Sequence, residues 1–348
     1  MIATTVLDTA LPDAARALVA DDKGLLAIDE SIPTCNRRFA RLGIPQTEQA
    51  RRAYRELIVT TPGLGDSISG VIAYDETIRQ HTADGVPFLS VLREAGTATG
   101  IKVDLGTTPM AGHPGEKITE GLDGLRARLT EYRQLGAVFA KWRAVFTIRA
   151  ATPSRACILA NAHALARYGA LCQEAGLVPV IEPEVLMRGE HTLSRCAQVT
   201  EDVLRVVFSQ LAEQGVELEG MLLKPNMVLP GQDCPIQDSV QAVAEATRTC
   251  LRRAVPAAVA GIVFLSGGQS GDLATTRLAA IDSRTRPPLP WPVAFSFGRA
   301  IQQPALTIWD GQDAHTGPAQ QALQQRVTSN RGARRGTDTL PPERANAS

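Results

Sequence analysis

Charged side chains close a series of short apolar runs in this sequence. Asp29 ends Leu25-Leu-Ala-Ile-Asp29, and Lys102 and Asp104 alternate within Ile101-Lys-Val-Asp-Leu105. Lys141 and Arg143 close a run that starts at Val138, and Glu182 and Glu184 close one that starts at Val178. Lys224 ends Met221-Leu-Leu-Lys224, Ser266 ends Ile262-Val-Phe-Leu-Ser266, and Arg299 follows Val293-Ala-Phe-Ser-Phe297. Residues two apart on a strand share a face, so Lys102 with Asp104, Lys141 with Arg143, and Glu182 with Glu184 should each point the same way. A buried charge without a partner is costly. Such a set therefore needs either its own members or a charged ligand. A structural ion pair explains any one of these residues; the whole set points to an active site.

The residue types suggest which chemistry. Lys224 stands at a strand end before Pro225, where burial and neighbouring cations such as Lys141 favour the neutral amine that attacks a carbonyl. Glu182 and Glu184 can move the protons that imine formation needs. Three lysines and at least two arginines at one mouth suit an anionic substrate. Ser266-Gly267-Gly268-Gln269-Ser270 follows an apolar run and leads into a helical stretch. Glycines let backbone N–H groups approach a phosphate, a helix N-terminus favours one, and Arg299 adds a guanidinium nearby. Taken alone, Ser-Gly-Gly is more often a plain turn. The five histidines show no metal-ligand spacing, and no G-x-S-x-G elbow occurs. A lysine-based chemistry without metal or cofactor is the expectation.

Eight apolar runs must position these residues, with Gly70-Val-Ile-Ala-Tyr74 completing the set. Their length and β-branched content favour buried strands. Helical stretches alternate with them over 46–59, 153–175, 193–214, 238–254 and 318–327. Alternation predicts a parallel sheet, and eight units favour an α/β fold closed as a single-domain (β/α)8 TIM barrel, which places chemistry at the C-terminal ends of its strands. An open doubly wound sheet is the alternative, weakened by the lack of a glycine-rich dinucleotide fingerprint. The expected division is a barrel with an N-terminal helical extension over 1–329 and a mobile tail over 330–348. With 36 basic and 36 acidic residues in 348, nothing suggests binding to nucleic acid or a membrane surface. Six scattered cysteines, no C-x-x-C pair and no secretory leader suggest a reducing, cytoplasmic setting.

Ordered motifs carry a family resemblance. Gly24-Leu-Leu-Ala-Ile-Asp-Glu-Ser31, Gly100-Ile-Lys-Val-Asp104, Gly121-Leu-Asp-Gly-Leu125, Phe139-Ala-Lys-Trp-Arg143 and Val180-Ile-Glu-Pro-Glu184 resemble class I fructose-bisphosphate aldolases. So do Glu219-Gly-Met-Leu-Leu-Lys-Pro-Asn-Met227, Phe264-Leu-Ser-Gly-Gly-Gln-Ser270 and Phe295-Ser-Phe-Gly-Arg-Ala300. The likeness runs from about Leu11 to about Val327. Asp29 to Phe39 is nearer the plant and microbial branches than the animal one. The resemblance implies reversible cleavage of fructose 1,6-bisphosphate to dihydroxyacetone phosphate and glyceraldehyde 3-phosphate, in glycolysis, gluconeogenesis or carbon fixation. It makes Lys224 the imine lysine, Glu184 and Glu182 proton carriers, Asp29 the base for carbon–carbon cleavage and Lys141 a charge stabiliser. It gives Ser266, Gly267, Gly268, Ser296 and Arg299 to the ketone-side phosphate, and Ser31, Arg38, Lys102 and Arg143 to the aldehyde half. It also implies a homotetramer.

Three departures stand out. Thr34 and Arg37 replace the serine and lysine of the animal branch, keeping hydroxyl and charge. Phe297 stands where the family usually has tyrosine, which is expected to remove a hydroxyl beside the phosphate. No tyrosine follows Tyr168, whereas family members typically end in a tyrosine that helps protonate the enamine. Two rival readings remain: an imine enzyme acting on another sugar phosphate, as in transaldolase-like lyases, and a barrel kept as a non-catalytic scaffold.

Overall fold

A computed structural model describes residues 10–282 and 287–336. Its strands are β1 (Gly24–Ala27), β2 (Ile68–Ala73), β3 (Ala98–Lys102), β4 (Thr107–Pro109) and β5 (Lys117–Thr119), followed by β6 (Phe139–Phe146), β7 (Val178–Val185), β8 (Leu222–Leu223), β9 (Gly261–Phe264) and β10 (Val293–Phe297). All but β4 and β5 close a parallel barrel in the order β1-β10-β9-β8-β7-β6-β3-β2. Each of the eight apolar runs overlaps one barrel strand, though Ile101–Leu105 shares only Ile101 and Lys102 with β3. β4 and β5 form a separate antiparallel hairpin that the sequence pattern did not suggest. Its segments are three residues each and mostly polar, so they lack an apolar signature.

β8 is short for a local reason. Lys224 still donates its N–H to the Ile181 carbonyl at 2.8 Å, but Pro225 has no N–H with which to continue the ladder. The strand thus stops where its lysine must emerge.

Helices cover the barrel, and side-chain caps start several of them. Thr47, Ser154, Thr192, Ser239 and Ser270 each accept a backbone N–H at the start of the helices Glu48–Val59, Arg155–Glu174, Leu193–Glu213, Val240–Ala254 and Gly271–Ile281. The expected helix starts lie within two residues of these. The last helix runs over Thr316–Arg335, well beyond the stretch 318–327 that periodicity marks. Asn330, placed in the expected tail, is fully buried and accepts from Thr275 Oγ1 at 2.9 Å. The helix therefore crosses the expected boundary at 329, and residues 337–348 lie outside the described part, as do residues 1–9.

Strand alternation sorts side chains into two cores. The outer core, between strands and helices, includes Leu26, Val71, Ile101, Trp142, Ile181, Leu223, Phe264 and Phe297. The inner core fills the lower barrel with Leu25, Ile72, Phe139, Val178, Val180, Leu222, Val263 and Ala294. The Phe139 ring has room because β2 and β3 present glycines to it. A Cβ on Gly100 would lie 2.2 Å from the ring and one on Gly70 2.9 Å. Ala14, Ala15, Leu18 and Val19, from the helix Leu11–Ala17 and the turn after it, stop the lower end. Arg334 ties the last helix to this stopper by donating to the carbonyls of Val19 and Lys23.

Candidate active site

The same alternation that buries Phe139, Val180 and Leu222 brings charged residues inward two positions later. Lys141, Glu182 and Lys224 follow them on the same strand faces, at the C-terminal mouth. A cleft of about 1540 Å³ opens there. Its walls contain every expected site residue: Asp29, Lys141, Glu182, Glu184 and Lys224, together with Ser31, Arg38, Lys102, Arg143, Ser266, Gly267, Gly268, Ser296 and Arg299.

A chain of alternating charge crosses the floor. Lys224 Nζ lies 3.2 Å from Glu182 Oε1, and Glu182 Oε2 lies 3.3 Å from Lys141 Nζ. Lys141 Nζ lies 2.7 Å from Asp29 Oδ2 and 3.9 Å from Asp104 Oδ2. Lys141 and Lys224 are each only 3% exposed. At that depth an ion pair persists only if each charge has partners. For Asp29, burial by itself would raise the pKa; Lys141, then Lys224 and Lys102, outweigh it and hold the carboxyl well below the usual range. Burial pulls the Lys141 ammonium down, but Asp29, Glu182 and Asp104 hold it well above its ordinary value. Lys102 shows the opposite balance, since burial lowers its pKa more than Asp104 restores it.

Asp104 is the floor residue that motif reasoning undervalued. It meets Lys102 Nζ at 2.5 Å and accepts backbone N–H groups from Gly106 and Arg143, both at 3.2 Å. Its alternation with Lys102 was the available signal. Glu184 is tied to Arg143 Nε at 2.5 Å, so it stands on the Arg143 side of the mouth instead of against Lys224. Burial lowers the Arg143 pKa, but Glu184 and its hydrogen bond more than reverse this and keep the guanidinium charged.

The opposite wall suits an anion. Gly267 and Gly268 adopt φ of 60° and 91°, a left-handed backbone that glycine alone enters without strain. The turn is anchored by Gln269, whose side chain donates to the Ser266 carbonyl at 2.9 Å and accepts from Arg277 at 2.8 Å. Ser270 then caps the helix Gly271–Ile281. The Gly268 backbone stands beside the exposed Arg299 guanidinium, one nitrogen of which lies 3.7 Å from where a Cβ would sit. Ser296 Oγ is buried without a partner among the described residues.

Arg38 differs from its expected role. It is 8% exposed and bonded to Glu30, Gln302 and Gln303, so it lines the wall from behind. Arg37, on the helix Ile32–Ala40, and Arg41, just after it, are exposed cations lining that side. Thr34 accepts from Arg37 at 2.9 Å and from Ser31 at 3.2 Å, which preserves a hydroxyl and a cation at the rim. Arg326 reaches the cleft from the last helix and pairs with Asp272 at 2.5 Å, a position that no strand-end pattern could reveal. Phe297 needs a correction. It is next to Ser296 on β10 and so faces the other way, into the outer core, with its ring 5.8 Å from that of Phe295. Its hydroxyl-free ring does not line the cleft.

Among the described residues, no cluster of three or more His, Cys, Asp and Glu side chains is placed to hold a metal ion. The family model described as "Glycolytic: Fructose-bisphosphate aldolase class-I" matches residues 10–347. The chain belongs to the class-I fructose-bisphosphate aldolase family. It is 54% identical over 321 residues to a probable fructose-bisphosphate aldolase class 1 of Xanthomonas campestris, covering 92% of this chain and 96% of that one. It is 47% identical over 327 residues to fructose-bisphosphate aldolase C of Rattus norvegicus, covering 94% and 90%. In structure it superposes on fructose-bisphosphate aldolase of Plasmodium falciparum, solved in complex with TRAP and a small-molecule inhibitor, with TM-score 0.92, 43% identity and 96% of each chain covered.

Proposed function

We propose that this aldolase cleaves fructose 1,6-bisphosphate reversibly to dihydroxyacetone phosphate and glyceraldehyde 3-phosphate, through an imine on Lys224. The observation that carries this reading is the charge chain Lys224–Glu182–Lys141–Asp29 on the floor of the large cleft at the mouth. In its neutral form the Lys224 amine adds to the ketose carbonyl. Glu182, 3.2 Å away, shuttles protons as the hydroxyl leaves as water and the iminium forms. Glu184, held by Arg143, serves the same dehydration from the rim. Asp29 is kept ionised by Lys141 and takes the hydroxyl proton of the aldehyde-forming carbon. The carbon–carbon bond then breaks and its electron pair moves into the iminium, leaving an enamine and the free aldehyde. Protonation of the enamine carbon and hydrolysis release dihydroxyacetone phosphate and restore Lys224.

Ser266, Gly267, Gly268, Ser296 and Arg299 hold the ketone-side phosphate by backbone N–H groups, hydroxyls and one guanidinium. Ser31, Lys102 and Arg143 serve the aldehyde half, with Arg38 supporting from behind. The chain acts as one barrel domain that takes in the last helix through Arg335. A cytoplasmic homotetramer is the assembly that fits the family resemblance. No helix among the described residues is long and apolar enough to cross a membrane.

The test combines trapping with turnover. Borohydride added with dihydroxyacetone phosphate should label Lys224, as read by peptide mapping, and cleavage should survive EDTA. Label on another lysine would discard the proposed nucleophile. Fructose 1,6-bisphosphate assayed beside fructose 1-phosphate separates the bisphosphate reading from a monophosphate one.

A further inference from the structure

A second cleft, of about 640 Å³, opens beside the mouth and has no part in the chemistry above. Loops following three barrel strands build it. Arg149 comes from the loop after β6, Arg188 and Glu190 from the loop after β7, and Asp233 from the loop after β8. The last two loops are locked together, because Gly231, Gln232 and Asp233 donate N–H groups to the carbonyls of His191, Met187 and Gly189 at 2.7, 2.7 and 3.0 Å. Gly231 has no room for a side chain there, since a Cβ would lie 2.0 Å from the Gly189 carbonyl oxygen.

His191 lines this cleft from its buried side. It is 9% exposed, yet neither ring nitrogen finds a hydrogen-bond partner among the described residues. Buried polar atoms are normally paired, so two orphaned nitrogens on one imidazole indicate a missing partner. His191 immediately precedes Thr192, which caps the 21-residue helix Leu193–Glu213, so the helix dipole is directed at the same place. Arg195 stands in the first turn of that helix and lines the cleft. Arg149, Arg188 and Arg195 outnumber Glu190 and Asp233. Burial, then Arg195, lowers the His191 pKa, so the imidazole is neutral near pH 7 and can both donate and accept.

We infer that this cleft binds a phosphate dianion, either free or as the end of a phosphomonoester, between His191 and the three arginines. Bound anion offers an acceptor to an imidazole N–H and charge-assisted partners to the guanidinium groups. Arg188 lines both this cleft and the mouth, so occupancy here draws on a cation that also faces the substrate.

No histidine lines the active-site cleft, so His191 reports this site alone. Its imidazole proton resonance can be assigned by loss of one signal in His191→Gln and followed through a pH titration. Inorganic phosphate and glycerol phosphate, each at millimolar concentration, should raise the His191 midpoint by about one pH unit, as expected for an opposite charge in contact. The stronger of the two identifies the source. In Arg149→Gln/Arg195→Gln, two residues outside the active-site cleft, the rise should vanish. An unchanged midpoint with both anions overturns the inference. So does a rise that survives intact in the double variant, because it would then originate at the mouth.

Discussion

The two ends of the barrel are built from the same strands and solve opposite problems. At the lower end, Phe139, Val180 and Leu222 meet Ala14, Ala15 and Leu18 in a dry, apolar stopper. Two residues further along, Lys141, Glu182 and Lys224 turn the interior into a lattice of paired charge. Both ends are deeply buried. Apolar burial stabilises the lower end directly. The upper end offsets a desolvation cost through mutual pairing and gains reactivity from it. The stabilising and the reactive parts are therefore separated along the barrel axis, as barrel enzymes generally separate them.

The sharpest way to test that separation is to remove the nucleophile. Lys224→Met should lower kcat for fructose 1,6-bisphosphate cleavage by about 10⁴-fold or more, some 5 kcal/mol at about 1.4 kcal/mol per decade. Its urea midpoint should stay close to wild type, so a folded protein with more than a tenth of the activity would sink the assignment. Lys141→Met comes next and should harm both properties. It strips the cation from Asp29, Glu182 and Asp104, which should cost about 3–5 kcal/mol in denaturant unfolding along with most turnover. A stable but inactive Lys141→Met would mean that the charge lattice is dispensable for the fold.

Phe139→Ala probes the other end. It opens a cavity beside Gly70 and Gly100 and should cost about 3–5 kcal/mol, while the folded fraction keeps kcat within a few-fold. Strong loss of kcat in the folded protein would show that the ends are coupled. Arg299→Gln should raise KM about 10- to 100-fold and change kcat less, because it removes one charge-assisted contact. Equal loss in kcat and kcat/KM would relocate Arg299 to the reacting centre.

The smallest effect is in acid. The folded pKa of Asp29 lies below its ordinary 3.8, so the unfolded chain takes up this proton first as pH falls. The stability Asp29 contributes is thus present above pH 3.8 and is lost below it. Comparing urea unfolding at pH 7 and pH 3, wild type should lose more stability than Asp29→Asn. Identical losses would mean that Asp29 is not held by Lys141.

Several features could be read without coordinates, and for a common reason. The eight strands, the (β/α)8 order and the inward-facing charges all follow from alternation along short runs, which is a local property. Lys224, Glu182, Lys141 and Asp29 were found this way. Arg326 and the β4–β5 hairpin were missed because they carry no such period. The expectation for Phe297 rests on the family's tyrosine and not on strand register, and one step along β10 from Ser296 turns its ring to the other face.

Sequence alone determined which residues could face the barrel interior, since a side chain's direction on a strand depends only on its register within that strand. It did not determine pairing. Whether Glu182 meets Lys224, whether Glu184 is taken by Arg143, and whether Arg38 faces ligand or Glu30 depend on distances between strands and helices far apart in the chain. Only closure of the barrel sets those distances. Charge interactions fall off with separation and grow with burial, so the electrostatic character of the site belongs to the tertiary structure.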